Sequence, residues 1–186
     1  TGYDELQGVA WKNSKVSLER EILWIAARVK EDQQLINAFR GIAQEIERLV
    51  VKNEVAQAID LLKVLEVMQG ASFWSIQLRI ALEGAQGGLE AQKKYTAEVR
   101  SIYKNGLLNF IAYNTSVRNE ERVSIQKFMG DIKQRISAHS KYDDSVKSYM
   151  RHRLMGEWPS ENDEISDVLR VEQSHSLADV YETFVG

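Results

Sequence analysis

A single proline, Pro159, in 186 residues constrains this fold more than any other feature of the sequence. Proline has no backbone N–H and clashes inside a helix, whereas loops accept it readily. A chain that nearly dispenses with it has short loops and long helices. The apolar periods agree. From Asp32, a good N-cap residue, Leu35, Phe39, Ile42, Ile46 and Leu49 recur at spacings of four and three, and Ile36, Ala43 and Val50 add a flanking row. That face is wide enough to pack on two neighbours. The expected fold class is all-α, with about eight helices packed as antiparallel helical hairpins, in a bundle or a short α-solenoid-like array.

The rest of the chain divides on the same signals. Residues 1–13 read as a loose arm carrying Gly2, Gly8 and a possible anchor at Trp11. A first helix is expected from Ser14 to Lys30 with Val16, Ile22, Leu23, Ala26 and Val29 inward. Asn53 is placed to cap a third helix that carries Val55, Ala58, Ile59, Leu62, Leu65 and Met68 and stops at Gly70. Phe73 to Leu82 alternates like a strand, yet it also holds the helical rows Phe73-Ile76-Ile80 and Trp74-Leu78-Ala81. With no second strand to pair with, helix is the reading taken.

Gly84 to Gly88 reads as a helix–helix turn before a helix with Leu89, Ala91, Tyr95, Val99 and Ile102, ended by Asn105-Gly106. Leu107, Leu108, Ile111 and Ala112 begin another helix, interrupted by polar residues around Asn114 to Asn119. A long segment with Val123, Phe128, Ile132 and Ile136 follows. Ser140 to Asp143 reads as a capping box for a helix reaching Met155. Gly156-Glu-Trp-Pro159 is the strongest break, so residues 14–155 are expected to form the helical body. Residues 156–186 are expected to form a linker and an acidic last helix, capped by Ser160 or Asn162, on that body.

Composition excludes several classes. There is no cysteine, so disulfides and thiolate zinc sites are out. No apolar run approaches the ~18 residues of a membrane span, and the start has no signal-peptide pattern. A cytoplasmic location is expected, and a first residue other than Met points to a processed chain or a piece of a larger protein. Gly84 to Gly88 lacks the Lys-Ser/Thr of a phosphate loop. No cofactor or metal is expected.

Three constellations carry possible chemistry. Asn53 to Ile102 resembles a tetratricopeptide-type helical hairpin, with Trp74 near one helix start and Ala91 and Tyr95 in the partner helix. Leu78 and Ala81 do not fall where that family's Leu-Gly and Tyr would, and no second copy follows at about 34 residues. The resemblance implies a concave peptide-binding surface. Arg170 to His175 resembles the Arg-and-His motif of HEPN ribonucleases, all-helical dimers acting on RNA. On that resemblance His175 would assist proton transfer and Arg170 would stabilise phosphate. Val171 departs from the polar residue usual there, and the surroundings are acidic. Glu172 and His175 also match one Glu-x-x-His element of a helical di-iron site. Position 136 is Ile and position 149 is Tyr, so neither His139 nor His152 supplies the second.

Charge is uneven. Residues 118–153 hold nine basic against five acidic side chains, a net of +4, and residues 157–182 hold eight acids against Arg170, a net of −7. Arg118, Arg122, Lys127, Lys133, Arg135, Lys147 and Arg151, with Lys141 and Arg153, would form a basic face for nucleic acid, with Tyr142 and Tyr149 available to stack. The alternative, preferred at a pI near 5.7, is that the acidic last helix covers and neutralises that segment. The leading expectation is a non-enzymatic helical module for protein partners or self-association. The HEPN-like ribonuclease and the nucleic-acid binder are its competitors. Trp11, Trp74 and Trp158 are candidate interface anchors.

Overall fold

The structure is a computed structural model that describes residues 16–103, 106–173 and 176–186. The described residues form nine α-helices and no strand: α1 (Leu18–Glu31), α2 (Gln33–Val51), α3 (Val55–Gln69), α4 (Phe73–Ile102), α5 (Gly106–Arg118), α6 (Ile125–Ala138), α7 (Asp144–Met155), α8 (Asn162–Glu172) and α9 (Leu177–Val185). The all-α expectation holds. The arm, Trp11, Asn105 and His175 lie outside the described residues.

The strand-like alternation of residues 73–82 has a helical cause. The first half of α4 is buried on two sides. Phe73, Ile76 and Ile80 enter a core shared with α5 to α8. Leu82 enters a second core with α2 and α3, against which Trp74 and Leu78 also pack. Two buried rows on one helix put an apolar residue at every second position. Ala81, expected in the second row, is exposed and Leu82 takes its place.

The α4 helix is itself a hairpin. Gly88, at φ 71° and ψ −168°, interrupts it, and this region of backbone space is open essentially to glycine alone. Arg79 stands with its guanidinium carbon 4.2 Å from the centre of the Tyr95 ring, whereas an unbroken helix would hold those residues about 24 Å apart. A methyl group at Gly84 would lie 2.6 Å from Oε1 of Gln92, so the arms 73–87 and 89–102 fold back on each other. Arg79 also pairs with Glu66 on α3 at 3.1 Å and with Glu83 at 3.3 Å. The turn expected at Gly84 to Gly88 is thus confined to its last glycine.

Several end signals are used differently from the expectation. Asn53 does not cap α3. It adopts φ 61° and closes α2, its N–H donating to Val50 O at 2.9 Å and the Glu54 N–H to Leu49 O at 2.8 Å, the pairing of a Schellman motif. Asp32 precedes α2 without a side-chain cap bond. Asp143, rather than Ser140, caps α7 by accepting from Val146 N. Neither Ser160 nor Asn162 caps α8, whose N-cap position is Glu161. The polar residues Asn114, Thr115 and Ser116 stay helical and buried in α5. The single acidic helix expected near the end is two, α8 and α9.

The first helix turns the other way from the expectation. Glu21 and Ile25 are buried, and Leu18 and Val29 half-buried, while Ile22, Leu23 and Ala26 face out. Contacts from far along the chain choose that face. Ser166 Oγ donates to Val16 O at 3.2 Å, Arg28 Nη1 to Gln173 O at 2.6 Å, and Gln173 Nε2 to a Glu21 carboxylate oxygen at 2.5 Å. The α1 helix therefore lies on α8 and α9 as well as beside α2.

Gly88→Ala forces a side chain into the glycine-only region and is expected to cost about 1–3 kcal/mol. Urea unfolding with an unchanged slope would register the loss, and full stability would contradict the sharp turn.

Candidate interaction surface

The residues singled out for chemistry are spread through the molecule. Arg170 pairs with Asp167 on its own helix. Glu172, the other residue of that stretch, is completely buried. Its carboxylate accepts from Arg153 Nη2 at 2.6 Å, Thr183 Oγ1 at 2.8 Å and the Tyr149 hydroxyl at 3.1 Å. Asp179, equally buried, accepts from the backbone N–H groups of Phe73 and Trp74, both at 2.8 Å, and from Ser176 Oγ at 2.9 Å. Arg153 also reaches Asp179 at 3.3 Å. Two buried carboxylates thus share one guanidinium, and the positive end of α4 offsets the remaining charge. Burial pushes the Tyr149 hydroxyl well above its ordinary range. Its ring, expected to be free for stacking, has no exposure at all.

This node was not legible beforehand. No spacing in the sequence joins Arg153, Glu172 and Asp179, and the Glu-x-x-His element that drew attention to Glu172 pointed to a different chemistry. It also answers part of the charge question, since the acidic end of the chain neutralises Arg153 inside the fold.

The other basic residues divide. Arg118 turns inward, donates to Leu154 O at 3.1 Å, and burial lowers its pKa. Lys147 pairs with Asp144 at 3.5 Å. Arg151 is half-buried, with its Nε unpartnered. Arg122, Lys127, Lys133, Arg135 and Lys141 are exposed. Tyr142 is half-buried and stacks on His139 at 4.5 Å. The segment therefore presents scattered lysines and arginines, without the free aromatic platform expected beside them.

A groove of about 820 Å³ opens where the bend of α4 meets the α5–α6 connection. Three of its polar side chains are engaged within the protein. Gln92 Nε2 donates to Ser116 O at 2.7 Å, and Lys93 pairs with Glu120 at 3.3 Å.

A second kind of exposed surface is apolar. On α1, Leu23 is 69% and Trp24 63% exposed, with Ile22 beside them. Along α3, Val64, Met68 and Val67, the last 88% exposed, run to the end where Gln69 Nε2 donates to the carbonyl of exposed Leu35. Sequence reasoning missed this surface because it assigned Leu23, Leu35 and Met68 to the core. Trp74 packs edge-on against Phe39 at 5.1 Å, and Trp158, also partly exposed, lies over His152 at 4.2 Å. No helix among the described residues is long and apolar enough to cross a membrane.

Removing the guanidinium with Arg153→Leu leaves two buried carboxylates without their cation. The expected loss is about 3–5 kcal/mol, read by urea unfolding; a loss below about 1 kcal/mol, the scale of an exposed pair, would show the node to be peripheral.

A pH effect follows from His152. Burial first, then the Arg153 charge, lowers its pKa from 6.5 to about 4. The unfolded chain therefore binds the proton more readily between those values, and folding must hold the ring neutral. His152's contribution is complete above the unfolded value and is lost as pH falls through about 4, up to about 3 kcal/mol. The difference in unfolding free energy between wild type and His152→Phe should shift by that order between neutral pH and pH 4. A difference constant with pH would place the imidazole in water.

No protein-family model, curated protein or solved structure matches the chain; its own surface is what bears on its function.

Proposed function

We propose that this protein is a non-enzymatic helical interaction module that binds protein through the outward face of α1 and the rim made by the start of α2 and the end of α3. The observation carrying this reading is the exposure of Leu23, Trp24 and Val67 on regular helices. Scattered exposed leucines are normal. Here Ile22, Leu23 and Trp24 follow one another on α1, and Val64, Val67 and Met68 lie within two turns of α3, on elements whose opposite faces are already packed. Burying one such side chain against a partner contributes about 1.5–3 kcal/mol, and tryptophan is the residue most enriched at the energetic centres of interfaces. The charged groups near the ribonuclease-like stretch support the same reading. Glu172, Arg153 and Asp179 are engaged in holding four helices together.

A photo-crosslinking residue placed at position 24 or 67 in the source cells is expected to capture a defined protein, whereas position 133 on α6, exposed and polar, captures none. Equal yields from all three positions would remove the basis of the reading.

A further inference from the structure

We propose that the outward face of α1 pairs, antiparallel, with α1 of a second copy of this chain across a two-fold axis at the level of Ile25. The proposal rests on the interaction-module reading and names one partner for that surface. Its basis is that the face is complementary to itself. Glu19, Arg20, Leu23, Trp24, Ala26, Ala27, Lys30 and Glu31 are all exposed, and at 100° per residue they occupy the side of α1 opposite Glu21, Ile25 and Val29.

A two-fold symmetric interface brings the same patch against itself. With the axis at residue 25, Leu23 enters between Ala26 and Ala27 of the second copy, and Trp24 covers its Ala27, large side chains over small. At one edge of the seam Glu19 meets Lys30 of the second copy, and at the other Arg20 meets its Glu31. Symmetry repeats each pair. The like-charged combinations, Arg20 with Lys30 and Glu19 with Glu31, fall on opposite edges and stay apart. Within the chain none of these four charges pairs with another described residue. Among the described residues none competes with the partner for them.

The size of the face sets the strength. Fourteen residues of helix offer less than the ~800 Å² per partner of a standard interface, so the pairing is weak and depends on concentration. Sedimentation velocity of the full chain from low micromolar to submillimolar concentration should show a reversible monomer–dimer equilibrium. Leu23→Asp should abolish it with the helical circular dichroism unchanged. Arg20→Glu should weaken it about tenfold, since each substitution acts twice across the axis. The double variant Arg20→Glu/Glu31→Arg should restore it. That rescue would not follow from a merely structural role of either side chain. A monomer at every concentration, a dimer indifferent to Leu23→Asp, or failure of the double variant to recover would overturn the proposal. If a crosslinker at position 24 still captures a different protein while the chain stays monomeric, self-pairing falls and the module reading stands. If the chain stays monomeric and neither position 24 nor position 67 captures anything, both fall.

Discussion

The guanidinium of Arg153 ties the last three helices of this molecule to one another, and through Asp179 they reach α4. It lies on α7, binds Glu172 of α8 and Asp179 of α9, and sits against the buried Tyr149 hydroxyl at 3.1 Å. Asp179 in turn occupies the N-terminus of α4, where the Phe73 and Trp74 N–H groups would otherwise be buried without acceptors. Ser72 accepts the next one, from Ser75. The first donors of the longest helix are thus satisfied by side chains, one of them supplied from more than a hundred residues away. A helix end buried without such partners would be costly. Two of the eight acids of the C-terminal segment, Glu172 and Asp179, are therefore part of the packing, while Glu157, Glu161, Asp163 and Glu164 remain exposed.

A second polar contact sets the shape of α4. Gly88 permits the reversal, but a glycine alone leaves the angle between the arms free. Arg79 reaches over the Tyr95 ring while paired to Glu66 and Glu83, and Ser75 donates to the other oxygen of Glu66. One guanidinium thus joins α3 and both arms of α4. Burial lifts the Tyr95 hydroxyl well above its usual range, keeping the ring neutral beneath the cation. The two arginines do similar work: each satisfies carboxylates from separate helices in a place that hydrophobic packing alone would leave ambiguous.

These two nodes spend charges that a reading of the chain would leave on the surface, and the apolar residues left outside are the other side of that exchange. With α1 fixed to the end of α8 through Glu21, Arg28 and Gln173, and Ile25 packed in one cluster with Val180 of α9, Leu23 and Trp24 are directed away from the protein. The exposure of this apolar face of α1 is in this sense a consequence of polar contacts made on its opposite face.

The sequence by itself determined the helical class, most of the elements and the deep core. One proline, the broken apolar rows and the absence of a partner strand pointed to helices packed as hairpins, in a bundle or a short array. Phe39, Ile46, Leu62, Ile80 and Ile136 are buried as their spacing requires, because a helix repeats every 3.6 residues wherever it sits. Tertiary structure decided the orientation of ambiguous helices and the fate of the charges. The run Ile22 to Ala27 is apolar all the way round α1, so periodicity cannot choose its inner face, and residues near positions 166 and 173 did. Asn53 looked like the start of α3, but only the backbone pairing of Glu54 with Leu49 made it the end of α2. No spacing signal links Arg153, Glu172 and Asp179 to one another, because they converge from separate helices. Local periodicity is a property of neighbours in the chain, whereas the burial of a charge depends on what the rest of the fold brings to it.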